Sequence, residues 1–407
     1  MPRVFHVLRK FEPAEWGGIE THLVGLIPEL AKLGWESEVH APAEAGTDGA
    51  ALQAVGATFR PFRARYPYLG MNAARRARLV AAGGNLLSFD ELGALLRAPK
   101  GSIFHVHTQG RLGGVVRTAA RLKHVPYAVS LHGPVRADAA VVESDAVDRT
   151  RGMIDLGAPA GLLLGARRVV HDADLVFTLN RHERDAWSAD RAGRHLALVS
   201  HGVALAPSTA EARREARALV PGLGDAPFAV TLARLDRAKG QDLAIEALAR
   251  GAPEGTHYVL AGAAVDATYA AELRALAAKY PRVHVLGGVS PRQARALLAE
   301  AKLALLPSRA EPFGIVLLEA WAEGTPALAA DVGGLGDIAR TTGAEHILVK
   351  GGVEVWAERV RAALGDSDTI VAEGAQARAR VARHYSWRSL AEQTAAAYQS
   401  ALTDARS

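Results

Sequence analysis

The sequence predicts an α/β protein of two parallel-sheet domains, and three observations carry that expectation. Short apolar, β-branched runs alternate with longer alanine-rich stretches of helical spacing. The alternation breaks near residues 203–208 and then restarts. The 407 residues suffice for two ordinary domains, and 49% of them are hydrophobic, enough to fill two cores.

In the first half, residues 4–8, 37–40, 103–107, 127–131, 175–179 and 196–199 read as strands, and 19–33, 113–122 and 159–173 as helices. Strands separated by helices need right-handed crossovers, hence a parallel sheet. After a polar segment at 207–218 and a loop at 221–225, strands are expected at 228–232, 258–261, 283–286, 303–306 and 327–330. Helices are expected between them at 241–249, 267–279, 291–300 and 314–323. The last segment reads as a helix with Ser386 as its cap and Leu390, Ala395 and Tyr398 as its packing stripe. The predicted divisions are 1–205, 206–385 and a terminal helix over 386–407.

Composition narrows the class. There is no cysteine, so disulfides and thiolate chemistry are excluded, in keeping with a reducing compartment. No uninterrupted run of about 18 apolar residues occurs, and the opening apolar run is too short for a secretion signal. A cytoplasmic protein is expected, at most touching the inner face of a membrane. The formal charge of +5 suits an anionic ligand or surface. Nucleic acid is not expected, because no recognition motif accompanies the charge.

The chemistry-bearing stretches fall where strands end. Residues 307–324 open on Pro307, carry Glu311, pass through Phe313 and Gly314, and enter an apolar helix at Ile315 that carries Glu319. A helix first turn offers unpaired N–H groups to phosphate, and a glycine lets the ligand approach the backbone. Carboxylates beside such a seat accept hydrogen bonds from hydroxyls, as on sugars. From spacing alone the pair equally fits a loop charge and a solvated helix-face residue. Arg234 and Lys239 follow another strand and could neutralise a diphosphate, or form a surface basic loop. Gly17 and Gly18 precede the first helix, a pattern that by itself is usually a turn. His132 ends a strand beside Gly133, where a core histidine is the ordinary alternative. His105 and His107 alternate with apolar residues and read as core histidines. No G-x-G-x-x-G or H-E-x-x-H is present. Asp172 with Asp174, and Asp366 with Asp368, have the D-x-D form but read as structural, so no metal site is expected.

Together these stretches resemble the retaining GT-B glycosyltransferases of family 4. The E-x7-E motif from Glu311 to Glu319 carries the resemblance. Gly17-Gly18-Ile19-Glu20, His132-Gly133, His201-Gly202-Val203, Arg234 with Lys239, Gly333-Gly334-Leu335 and Tyr385-Ser386-Trp387 support it in order. His201 stands where asparagine is usual, and Gly336-Asp337 where proline and glutamate often follow.

The resemblance implies two Rossmann-like domains facing across a cleft, the second holding a UDP-sugar or GDP-sugar, with no cofactor and no metal. It implies that Arg234 and Lys239 hold the diphosphate, Glu319 the ribose and Glu311 the sugar hydroxyls. The Phe313–Ile315 backbone would touch phosphate and sugar, His132 would lie by the transferred sugar, and Gly17 and Gly18 would approach diphosphate or acceptor. Transfer with retention to a glycan, glycolipid or small molecule follows, in surface polysaccharide synthesis. A nucleotide-sugar epimerase and a non-catalytic nucleotide-sugar-binding protein are the alternatives. A basic, aromatic stretch, Arg60 to Tyr68 followed by Arg75, Arg76 and Arg78, suggests contact with an anionic membrane or a lipid-linked acceptor, or else a solvated arginine-rich helix.

Overall fold

The computed structural model describes residues 1–11, 18–44, 47–72, 75–76, 79, 85–130, 153–189, 195–199 and 201–405. Fifteen strands are present among them. In chain order they are β1 (Arg3–Val7), β2 (Glu36–Pro42), β3 (Thr58–Phe62), β4 (Tyr68–Leu69), β5 (Ile103–Val106), β6 (Tyr127–Ser130), β7 (Ile154–Asp155) and β8 (Leu175–Thr178). Then follow β9 (His195–Leu198), β10 (Phe228–Leu232), β11 (His257–Ala261), β12 (Val283–Val285), β13 (Leu303–Leu306), β14 (Ala327–Ala330) and β15 (Leu348–Val349).

The chain forms two compact units, residues 1–202 with 387–407, and residues 203–386. The first holds a seven-stranded sheet in the order β3-β2-β1-β5-β6-β8-β9, with every pair parallel. The second holds a six-stranded parallel sheet in the order β12-β11-β10-β13-β14-β15. Each sheet reverses direction once, at β1/β5 and at β10/β13, the doubly wound arrangement. Central strands such as β5, β10 and β13 are buried along their whole length, as sheets covered on both faces require.

In the second unit, Ile245, Tyr258, Leu305 and Trp356 pack over the sheet. In the first, the terminal helix Trp387–Asp404 supplies Leu390, Tyr398 and Leu402 to a core shared with Val4, Leu26, Trp35 and Phe177. One sequence expectation fails here. The helix read over 159–173 is only Ala158–Leu163, because the chain turns away at Gly165, φ +66°. No helix among the described residues is long and apolar enough to cross a membrane.

Candidate active site

In the second sheet the chain leaves β10 toward β11 and leaves β13 toward β14, so the loops after these two adjacent strands diverge. A doubly wound sheet opens its crevice at such a point. There a cavity of about 280 Å³ is lined by Arg234 and Lys239 from the loop after β10 and by Ser308, Glu311, Ile315 and Val316 from the segment after β13.

Two glycines make this geometry possible. Gly240 has φ +66°, and a Cβ there would run into the carbonyl oxygen of Pro307. The two loops can therefore touch, and the Arg309 N–H donates to the Ala238 carbonyl at 2.8 Å. Gly314, φ +92°, caps the helix Ile315–Glu323, and a Cβ there would sit 2.6 Å from Leu335 Cδ2. No side chain caps this helix, so its first-turn N–H groups stay available where Ile315 and Val316 meet the cavity. Behind the loop, the Gly334 N–H donates to the Glu311 carbonyl at 2.9 Å, tying the helix Gly333–Thr342 to the same turn.

The charges are arranged unevenly. Lys239 Nζ donates to Glu311 Oε2 at 2.7 Å, and both side chains are about five-sixths buried (15% and 16% exposed). Arg234 is 64% exposed, with Asp236 no nearer than 3.9 Å. Glu319 has no hydrogen-bond or ion-pair partner among the described residues. Burial, opposed by the charge of Arg295, raises its carboxyl to about 7. Four residues on, Glu323 is saturated, accepting from Arg295 at 2.5 Å and from the Ser208 N–H and hydroxyl at 3.0 and 3.1 Å. Chemically, the cavity offers two cations and a helix N-terminus for an anion, with one carboxylate on the Lys239 ammonium; Glu319, further along the same helix, is not among the lining residues.

Sequence reasoning passed over Arg309. Its guanidinium grips Asp242 with two bonds of 2.9 and 2.7 Å and also donates to the Arg237 carbonyl, locking the two loops together. The Asp242 carboxyl is held below the usual range, because the bonds from Arg309 and Tyr269 outweigh the effect of burial. Its place in a charged loop carried no signal that could have found it; the partner lies 67 residues away.

The structure brings together Arg234, Lys239, Glu311 and Ile315 around the cavity. Phe313 is buried, and its neighbour Gly314 serves as the helix cap. Gly17 and His132 lie outside the described residues, and Gly18 begins the helix Gly18–Lys32. His105 is buried and hydrogen-bonded to Tyr398 Oη at 2.6 Å and Ser130 Oγ at 2.7 Å. His6 Nδ1 lies 3.1 Å from His107 Nε2, and ligand atoms of His6, His105 and His107 all fall within 4.8 Å of one another. This is the one group among the described residues with metal-ligand spacing, and the sequence did not suggest it because His6 is about a hundred residues from the other two. Both nitrogens of His105 are already bonded, so a hydrogen-bonded chain accounts for the arrangement. His201 lies edge-on to His22 at 5.4 Å, and burial lowers it to about 4.

The D-x-D stretches are structural. Asp172 accepts from Arg117 and Arg168, Asp174 from the Tyr127 N–H, and Asp366 caps the helix Ser367–His384. In the basic stretch, Arg60 is paired with Asp90 and Glu91, and Arg76 with Glu44. Arg78 lies outside the described residues.

Comparison with known proteins agrees with this architecture. The family described as glycosyl transferases group 1 matches residues 213–380, and the glycosyl transferase 4-like domain matches residues 17–202. The D-inositol 3-phosphate glycosyltransferase of Kineococcus radiotolerans is 30% identical, over 95% of this chain and 91% of that protein. The Corynebacterium efficiens protein of the same name is 28% identical with the same coverage. Among solved structures, Anabaena Alr3699/HepE in complex with UDP and glucose aligns over 98% of this chain and all of that one, with a TM-score of 0.68 and 19% identity. Sucrose-phosphate synthase from Thermosynechococcus elongatus aligns over 99% of this chain and all of that one, with a TM-score of 0.67 and 20% identity. The fold, the two matched families and the near-full-length relatives agree: the chain belongs to the group 1 glycosyltransferases of family 4 type and is a GT-B transferase.

Proposed function

We propose that this glycosyltransferase takes its sugar from a nucleoside-diphosphate sugar and transfers it with retention, without a metal ion. The observation that carries the reading is the cavity at the β10/β13 switch point, where Arg234, Lys239 and the N-terminus of the helix Ile315–Glu323 converge. Arg234, Lys239 and the first-turn amides hold the diphosphate. Glu311 is released from Lys239 to accept from sugar hydroxyls, and Glu319 accepts from the ribose. The anomeric C–O bond breaks and its electron pair stays on the departing diphosphate. The acceptor oxygen bonds to the same face of the sugar and passes its proton to a phosphate oxygen. The leaving group gains charge as the bond breaks, so the cations contribute most in the transition state. His132 serves the transferred sugar, and Gly17 and Gly18 the diphosphate or the acceptor.

The acceptor is a glycan, a glycolipid or a small molecule. The relatives named for D-inositol 3-phosphate favour trying a phosphorylated polyol first. Work at the cytoplasmic face of a membrane, in surface polysaccharide synthesis, fits the glycan and glycolipid choices.

Release of free nucleoside diphosphate from UDP-sugars and GDP-sugars tests the assignment. Arg234→Ala and Lys239→Ala should each slow release by about 100-fold, on the order of 3 kcal/mol of barrier. Equal rates in all three proteins would overturn it, and the absence of turnover with any donor or acceptor would leave a binding protein. Product anomeric configuration by proton NMR decides retention, and activity in excess chelator decides metal dependence.

A further inference from the structure

The two-stranded ribbon of β4 and β7 has an inner and an outer face. Tyr68 pairs with Asp155 and Leu69 with Ile154. Successive side chains on a strand point to opposite sides. The Tyr68/Asp155 side turns inward onto Arg111, a side chain only 2% exposed, which is ion-paired with Asp155 and lies 5.5 Å over the Tyr68 ring. The other side is apolar and open to solvent: Leu69 is 58% exposed and Ile154 61%. Leu156, whose N–H donates to the Pro67 carbonyl at 2.8 Å, adds a third leucine-sized side chain at 60%. The chain then enters the short helix Ala158–Leu163. Its Gly161 and the following Leu164 are buried, while Leu162 and Leu163 are 81% and 89% exposed. Five large apolar side chains on one ribbon and the helix that follows it thus face water, where isolated ones are ordinary but a group marks a contact surface.

Positive charge flanks this group along the chain. Arg75 donates to the Gly70 carbonyl at 2.7 Å, which places a guanidinium beside Leu69. Arg167 and Arg168 follow Leu163 by four and five residues and are exposed. Arg168 is held by Asp172, whereas Arg167 has no ion-pair partner among the described residues. Exposed leucines bordered by arginines match the boundary of an anionic bilayer, with acyl chains for the leucines and phosphate headgroups for the guanidiniums. A protein partner would leave that basic border without a stated counterpart, while the headgroup layer supplies one.

We infer that Leu69, Ile154, Leu156, Leu162 and Leu163, flanked by Arg75 and Arg167, form a peripheral membrane-docking surface for anionic lipid. The inference deepens the membrane-face reading above and moves the contact from the internally paired Arg60 and Arg76 to the leucine ribbon.

Vesicle sedimentation of the full chain, without donor or acceptor, tests it independently of sugar transfer. Binding to phosphatidylcholine vesicles carrying one-quarter phosphatidylglycerol should exceed binding to pure phosphatidylcholine at least tenfold. Leu162→Glu/Leu163→Glu should lose at least tenfold with an unchanged Tm, and Arg75→Gln/Arg167→Gln should lose several-fold with a weaker salt dependence. Because the chain has no cysteine, Leu163→Cys can carry a single environment-sensitive fluorophore. Its emission should shift to the blue on the anionic vesicles, whereas the same label at Val371, 72% exposed in the other unit, should not move. That label also serves if the double glutamate variant fails to fold. No preference for anionic vesicles, an unshifted Leu163 label, or a concentration-dependent dimer abolished by the glutamates with no vesicle binding would overturn the proposal. Donor turnover measured on the same samples keeps a failure here distinct from a failure of the glycosyl-transfer reading.

Discussion

The two sheets are wound alike but use their polar groups differently. In the first unit, histidines near the carboxyl ends of β1, β5 and β6 form a chain, His6 Nδ1 with His107 and His105 with both Ser130 and Tyr398, although His6 Nε2 is buried without a partner. In the second unit, the groups at the corresponding ends are only partly matched. Lys239 and Glu311 have each other, Arg234 stands in solvent, and Glu319 has no partner among the described residues. The backbone scaffold does not distinguish the two ends; the kind of group does, a chain of buried rings and hydroxyls in the first and cations with carboxylates in the second. Charges held at a strand end cost stability unless something neutralises them, so the second end is the one suited to a charged ligand.

The contrast can be broken most forcefully at Gly240. Gly240→Val forces a β-branched residue to φ +66° and into the Pro307 carbonyl, separating the loops that frame the cavity. A loss of about 3 kcal/mol or more is expected in urea denaturation, and the same change at Gly255, also left-handed but with nothing within 4 Å of its Cβ position, should cost less.

Next in size is Glu319→Gln. The folded carboxyl titrates at about 7, above its unfolded value of 4.5. Its protonated form is therefore favoured by folding, a contribution fully present below pH 4.5 and lost as pH rises through 7. The glutamine variant removes that loss, so its stability advantage over wild type, read as a Tm difference, should be small at pH 4.5 and grow by pH 8, toward at most about 3 kcal/mol. In wild type, donor binding should weaken as pH falls below 7, because only the carboxylate accepts two hydroxyl bonds. A Tm difference that does not change with pH would show that Glu319 is not the group titrating.

The smallest expected effect sharpens the other half of the comparison. Tyr398→Phe removes the bond to His105 and leaves a buried ring nitrogen unmatched. It should cost about 1–2 kcal/mol by denaturation, while nucleotide binding stays as in wild type.

Much of this was legible in the sequence, for local reasons. Central strands are continuous apolar runs, so β10, β13 and β14 were read at their true bounds. β3 was missed because Arg60 and Pro61 interrupt it, and it tolerates proline as an edge strand. The helix Phe89–Leu96 was also missed, although Ser88 caps it through the Glu91 N–H at 3.0 Å and acids fill its first turn, a signature that could have found it. The helix over 159–173 was overextended because alanine and leucine spacing outweighed Gly165. At the site, strand ends and the E-x7-E spacing pointed to two loops that line one cavity in the structure. The pairing of Lys239 with Glu311 and of Arg309 with Asp242 joins residues 72 and 67 apart, and no local pattern encodes it.

The terminal helix has a consequence for how the molecule is made. Leu390, Tyr398 and Leu402 complete a core whose other walls, Val4, Leu26 and Phe177, emerge from the ribosome some two hundred residues or more earlier. The first unit must therefore wait, with apolar surface uncovered, while the whole second unit is synthesised. A fragment ending at Gly202 should be sticky and chaperone-dependent, and a circular permutation that places 387–404 ahead of Arg3 should restore its independence.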